Sequence, residues 1–154
     1  MRERSGIPLP KPPLNILCVE PEMRDREALS AILARSSWSV ETDCLRHLTI
    51  RPCVQSAIPV LRSQDTGIVI CERRTTTGSW QEMLAVLECL EEPPLLIVTS
   101  RLADESLWAE ALNLGAYDVL AKPYYPPEAE RVLDLASSHW LHRRDRRIYR
   151  AAAS

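Results

Sequence analysis

Four side chains able to do acid–base or anion chemistry each follow a short, mostly apolar run. Glu20 follows LNILCV, Glu72 follows IVIC, Thr99 follows LLIV, and Lys122 comes two residues after VL. Carboxylates coordinate hard cations, and an ammonium with a hydroxyl can hold a phosphoryl group. This chemistry requires a fold that brings the four side chains together.

The apolar runs predict strands, and segments with apolar residues at helical spacing separate them. Strands are predicted over residues 14–19, 38–42, 68–71, 95–98 and 119–120, and helices over 24–35, 54–62, 80–91, 104–114 and from 126 through at least Trp140. Runs that are apolar on both faces are typical of buried parallel strands. The pattern predicts an α/β fold, a doubly wound five-stranded parallel sheet with helices on both faces. The pattern of apolar residues is weakest in residues 43–66.

In such sheets the working residues lie at the carboxyl ends of the strands. The predicted strands end close to Glu20, Glu72, Thr99 and Lys122. We therefore expect these four side chains to meet in one shallow pocket at that edge of the sheet.

The order of these residues resembles that of bacterial response-regulator receiver domains. In that family an acidic pair follows the first strand, a phospho-accepting Asp ends the third, Thr or Ser ends the fourth, and Lys-Pro follows the fifth. The segment ALNLGAYDVLAKP, residues 111–123, is similar to the family's fourth helix, fifth strand and Lys-Pro turn. The resemblance covers about residues 14–138 and implies the flavodoxin-like receiver fold and a role in two-component signal transduction.

The sequence departs from the family at three places. Pro21 replaces the second acid, Glu72 replaces the phospho-accepting Asp, and Val119 replaces the aromatic switch residue. The resemblance thus implies a degenerate pseudo-receiver with no metal ion, no cofactor and no enzymatic activity, which signals by binding a partner protein. The alternatives are a phosphorylatable receiver of a phosphorelay and, less favoured, a nucleic-acid-binding module.

The nucleic-acid alternative depends on an Arg-rich tail. Five arginines follow residue 142, but the chain carries a net charge of −2, which disfavours nucleic acid as a partner. We divide the chain into a flexible arm (1–13), a receiver-like domain (14–142) and a basic extension (143–154), which we interpret as a solvated continuation of the last helix. A homodimer is also expected, through an apolar surface formed by Leu107, Trp108, Tyr124 and Tyr125.

The composition excludes several other classes of protein. Apolar residues make up 45% and charged residues 26% of the chain, and no apolar run approaches the roughly 18 residues of a membrane span. The five cysteines form no C-x-x-C pair, which argues against a zinc site or a disulfide framework. No secretory signal is recognisable, so a cytoplasmic protein is expected.

Overall fold

The computed structural model describes residues 12–35, 38–39 and 44–154. Its strands are β1 (Leu14–Val19), β2 (Trp38–Ser39), β3 (Cys44–Arg51), β4 (Thr66–Glu72), β5 (Leu95–Ser100) and β6 (Asp118–Ala121). Its helices are α1 (Met23–Arg35), α2 (Val54–Ser63), α3 (Trp80–Glu88), α4 (Glu105–Leu114) and α5 (Pro126–Ala153).

The strands form one sheet in the order β2-β3-β1-β4-β5-β6. All neighbouring pairs from β3 to β6 are parallel, and only the two-residue β2 runs antiparallel to its neighbour β3. The chain order reverses at β1, so the sheet is doubly wound. The predicted five-stranded parallel α/β fold is confirmed.

The second parallel strand is not the one that the sequence pattern indicated. The prediction placed it at residues 38–42, whereas the parallel strand is Cys44–Arg51 and only Trp38–Ser39 pair with it. Residues 40–42 lie outside the described part of the chain. The reason is the position of β3 in the sheet. Among the described residues its outer neighbour is the two-residue β2, and polar residues that range from buried to exposed interrupt its apolar pattern.

Two apolar layers cover the two faces of the sheet. Side chains alternate along β1, so Leu14, Ile16 and Cys18 pack with α1 and α5 on one face. Leu17 and Val19 pack with α2, α3 and α4 on the other face. With both faces buried, only the strand ends remain available to build a site from polar side chains.

The helix ends agree with local sequence signals. The Asp104 side chain accepts a hydrogen bond of 2.9 Å from the backbone N–H of Leu107 at the start of α4. Gly115 ends α4 with φ of 109°, a left-handed conformation that costs glycine little. The predicted stop at Gly115 is confirmed.

Helix α5 is the longest element and lies close to β4. A Cβ atom at Gly67 would lie 2.4 Å from Leu14 Cδ1 and 2.6 Å from the Trp140 ring, so the absent side chain lets α5 approach the sheet. The helix continues unbroken through the basic extension to Ala153. No helix in the described part of the chain is long and apolar enough to cross a membrane.

Candidate functional site

A cavity of about 510 Å³ opens at the carboxyl edge of the sheet. Strand registry builds it, because Glu72 at the end of β4 lies beside Thr99 in β5, and Ser100 in β5 lies beside Ala121 in β6. Glu20 leaves β1 next to these strands and hydrogen-bonds through its backbone N–H to Arg51 O at the end of β3. The structure therefore brings Glu20, Glu72, Thr99 and Lys122 together; we call this site the Lys122 pocket.

The Lys122 ammonium is the centre of the pocket. Its Nζ lies 2.5 Å from Glu20 Oε1 and 3.0 Å from Asp25 Oδ2, and it contacts Glu72 Oε2. An ammonium group has three N–H donors, so each donor has its own carboxylate. The Lys122 side chain is only 2% exposed. A charge buried this deeply is tolerated only when it is paired, and three carboxylates pair with the Lys122 ammonium.

Glu72 Oε2 also accepts a hydrogen bond of 3.2 Å from the Thr99 hydroxyl. Burial raises the pKa of the Glu72 carboxyl above its ordinary value of 4.5, although the bonds from Lys122 and Thr99 oppose this effect. Burial alone would lower the pKa of Lys122, but the hydrogen bonds to Glu20, Glu72 and Asp25 outweigh it and raise that pKa. The ammonium therefore remains protonated, and the Glu72 carboxyl binds a proton more readily than a solvent-exposed glutamate does.

The raised pKa of Glu72 predicts a specific pH dependence of stability. The folded protein retains a proton on Glu72 at pH values where the unfolded chain has released it. The stability that this proton contributes is complete below pH 4.5 and is lost as pH rises through the folded-state pKa. Relative to Glu72→Gln, which does not titrate, wild type should become less stable across that window and level off above it.

Urea unfolding of both proteins between about pH 4 and about pH 8 measures this difference. Glu22→Gln is the matched control, because Glu22 is an exposed acid at the rim of the same cavity. A difference curve that rises with pH would mean that the Glu72 pKa is lowered, and would contradict the expectation.

One hydrogen bond to its side chain and one to its backbone carbonyl hold Glu20 in place. Its Oε2 accepts a hydrogen bond of 3.3 Å from the Glu22 backbone N–H, and its carbonyl oxygen accepts one of 2.7 Å from Arg26 Nε. The Glu22 side chain itself is exposed. Glu22 thus contributes its backbone N–H to the pocket, and its side chain lies at the rim of the cavity.

A divalent cation does not fit this arrangement. Magnesium needs several oxygen ligands directed at one point, but Glu20, Asp25 and Glu72 all direct a carboxylate oxygen at the Lys122 ammonium. Pro21 offers no side-chain oxygen. In the described ranges no group of three or more His, Cys, Asp and Glu side chains could hold a metal ion.

Two residues of the site were missed by the sequence reasoning. Asp25, in the first turn of α1, is buried and contacts Lys122 Nζ. Arg101, after β5, places its Nη2 2.8 Å from Asp25 Oδ1 and 2.9 Å from Oδ2. A signal for Asp25 was present, because it lies four residues before Leu29 and thus on the buried stripe of α1.

The predicted dimer surface is wrong in part. Leu107 is fully buried in the core beneath α4, where it cannot contact a second molecule. Trp108 and Tyr124 are half-buried and pack against the two core layers, and burial raises the pKa of the Tyr124 hydroxyl. Only Tyr125 is largely exposed. The error arises because Leu107 lies with Ala111 on the side of α4 that faces the sheet. Homodimerisation itself stays a prediction.

Comparison with known proteins identifies the fold. A signal receiver domain from Vibrio parahaemolyticus superposes with a TM-score of 0.75 at 14% identity, covering 85% of this chain and 95% of that one. The signal receiver domain of an HD domain-containing protein from Pseudomonas fluorescens gives 0.73 at 23% identity, covering 88% and 95%. The fold is that of a receiver domain. No protein-family model matches the sequence, and no curated protein is significantly similar to it.

A third receiver domain provides a contrast at the pocket. The receiver domain of a sensor histidine kinase from Pseudomonas aeruginosa holds a magnesium ion in its active-site cleft and superposes with a TM-score of 0.67 at 18% identity, covering 82% of this chain and 98% of that one. In the present protein three carboxylates, those of Glu20, Asp25 and Glu72, are directed at the Lys122 ammonium. The two proteins share the fold, and the cation of the Lys122 pocket is the lysine ammonium itself.

Proposed function

We propose that this chain is a degenerate receiver module of a bacterial two-component pathway, which works in the cytoplasm by binding a partner protein without being phosphorylated. The contact of the Lys122 ammonium with Glu72, Glu20 and Asp25 supports this proposal most directly. The pocket has its own cation and its own anion where a phosphorylated receiver would hold a metal ion and a phosphoryl group. On this proposal the module turns over no substrate.

Phosphoryl transfer would need groups that this pocket uses otherwise. The reaction requires a nucleophile in line with the donor and a cation to neutralise the phosphoryl oxygens. Every N–H donor of Lys122 is engaged by a carboxylate. Glu72 is also longer than Asp by one methylene, about 1.5 Å, and errors of this size are costly in positional catalysis.

The contacts of Glu72 favour a single constitutive state. Its longer side chain carries negative charge outward, where both Lys122 and Thr99 already reach it. In the family these two residue types hold the phosphoryl group, so Glu72 supplies part of the charge that phosphorylation would add. Val119 is fully buried and offers no aromatic ring for the family's usual conformational readout.

The second candidate function is a phosphorylatable receiver that uses Glu72 as acceptor. It is supported by the same Thr99 and Lys122 contacts, which would suit an acyl phosphate on Glu72. The two candidates predict opposite results with a small phosphodonor.

The deciding experiment uses wild-type protein, acetyl phosphate carrying labelled phosphate, and magnesium at millimolar concentration. We expect no incorporation of label. We also expect magnesium to leave the thermal midpoint unchanged, since a rise would show that the ion binds the folded state. Label that depends on magnesium and is lost in Glu72→Gln would contradict the proposal and establish the second candidate.

A further inference from the structure

The carboxyl-terminal part of α5 carries a basic face that the Lys122 pocket does not use. Arg143, Arg146, Arg147 and Arg150 recur at spacings of three and four residues, which places them on one side of the helix over about two turns, roughly 10 Å. With Glu91 and Glu92 they line a groove of about 360 Å³. We call this feature the α5 groove.

The domain compensates only part of this charge. Arg147 forms an ion pair with Glu92, and Arg143 Nη2 donates a hydrogen bond of 3.1 Å to the Pro93 carbonyl oxygen. Arg146 and Arg150 are exposed and form no ion pair with any described carboxylate. The groove therefore presents an uncompensated positive edge to a ligand.

A buried cation lies at one end of the groove. Arg144 is only 8% exposed and lines a narrow extension of the groove together with Arg143 and Arg147. Its guanidinium carbon lies 4.7 Å from the centre of the Trp140 ring, and its Nε has no hydrogen-bond partner among the described residues. Asp65 and Glu92 line the same extension, but the Nε of the buried guanidinium remains without a partner in the described part of the chain, so an acceptor group that reaches this atom would be favoured.

Further buried polar atoms line the adjoining depression beneath the Glu91–Glu92 turn. Thr66 Oγ1 and Gln64 Nε2 are buried there without hydrogen-bond partners among the described residues, and Thr66 is only 5% exposed. Buried polar groups normally have partners. These donors, like Arg144, indicate a surface that is completed by a ligand.

We propose that the α5 groove binds an acidic segment of a partner protein, whose carboxylates pair with Arg146, Arg150 and the buried Arg144. This interaction goes beyond the role of the Lys122 pocket and does not depend on the state of that pocket.

The charge distribution favours a protein over a nucleic acid. A duplex carries one negative charge per about 1.7 Å of axis, and such a dense array would meet Glu91, Glu92 and Asp65, which also line the groove and its extensions. The separated carboxylates of a peptide can lie between these acids.

The first test measures binding of a fluorescent helical peptide built from glutamate and leucine. Fluorescence anisotropy should show binding that falls at least about tenfold in the double variant Arg146→Glu/Arg150→Glu, since one close charge pair corresponds to about that factor. The matched control is Arg24→Glu/Arg62→Glu, which makes the same charge change at exposed arginines on α1 and α2 and should bind like wild type. Raising salt from about 0.05 M to about 0.5 M should weaken wild-type binding, because screening shortens the reach of exposed charges.

The second test uses Arg144→Met, which keeps an apolar stem over Trp140 and removes the charge. We expect the variant to be at least as stable as wild type, because a buried guanidinium whose Nε lacks a partner among the described residues is gone, and yet to bind the peptide several-fold more weakly. A purely structural Arg144 would give the reverse: a lower thermal midpoint and unchanged affinity.

Several results would overturn the proposal. These are the absence of peptide binding at low salt, an equal loss in the control variant, and tighter binding of a DNA duplex than of the peptide. Self-association that disappears in Arg146→Glu/Arg150→Glu would assign the groove to a second copy of this chain, which also contradicts an acidic partner segment.

Discussion

The double variant Pro21→Asp/Glu72→Asp is expected to accept label from acetyl phosphate in the presence of magnesium, whereas wild type stays unlabelled. Pro21→Asp adds a carboxylate beside Glu20, and Glu72→Asp withdraws the acceptor carboxylate from the Lys122 ammonium that it now contacts. The first change supplies a cation ligand and the second frees the nucleophile. Labelling should be weak, because Asp25 still competes for Lys122.

The two substitutions should be strongly non-additive. A nucleophile without a metal site, or a metal site without a positioned nucleophile, supports no transfer, so each single variant should label no more than wild type. The label should be released by hydroxylamine, as expected for an acyl phosphate, and should disappear when Lys122→Ala is added. Circular dichroism on every variant separates lost chemistry from lost fold.

A matched control separates the position of the new acid from its charge. Ser63→Asp/Glu72→Asp adds the same charge at the exposed end of α2 and should remain unlabelled. Labelling of wild type at the level of the double variant would mean that the native pocket is active. A folded but inert double variant would instead place the defect outside positions 21 and 72.

The sequence was sufficient to predict the pocket because its polar residues end apolar strands. Runs such as IVIC and LLIV are buried on both faces, so their direction and their ends can be read without coordinates. Glu72 and Thr99 come together because parallel strands of similar length end at one edge. This reasoning fails only where a strand is not fully covered.

The two features that the sequence did not predict, β3 and Asp25, share a physical cause: a distant residue compensates a buried charge in each. β3 lies near the sheet edge, and Arg46 occupies a buried position there by forming an ion pair with Asp134, so the segment does not appear strand-like. Asp25 is a buried charge on a helix, which is tolerated only because Lys122 and Arg101 reach it from distant parts of the chain. Such long-range compensation leaves little trace in the local pattern.

The largest effect on stability is expected from Lys122→Met. Methionine fills the volume of the lysine stem, but the carboxylates of Glu20, Asp25 and Glu72 then lie buried around a point without a cation. Removing one partner of a buried ion pair typically costs about 3–5 kcal/mol. We expect a loss of that size in urea unfolding and a thermal midpoint lower by about 10 °C or more.

A compensated variant shows whether this loss arises from charge. Lys122→Met combined with Glu20→Gln, Asp25→Asn and Glu72→Gln removes all four charges at nearly constant volume, and it should regain most of the lost stability. The loss in Lys122→Met alone should also shrink at low pH, where uptake of protons relieves the repulsion between carboxylates. Arg62→Met, at an exposed site on α2, should change stability by no more than about 0.5 kcal/mol. If instead the compensated variant is as unstable as Lys122→Met, packing of the lysine stem rather than its charge holds this edge of the sheet, and the constitutive state proposed for the pocket loses its physical basis.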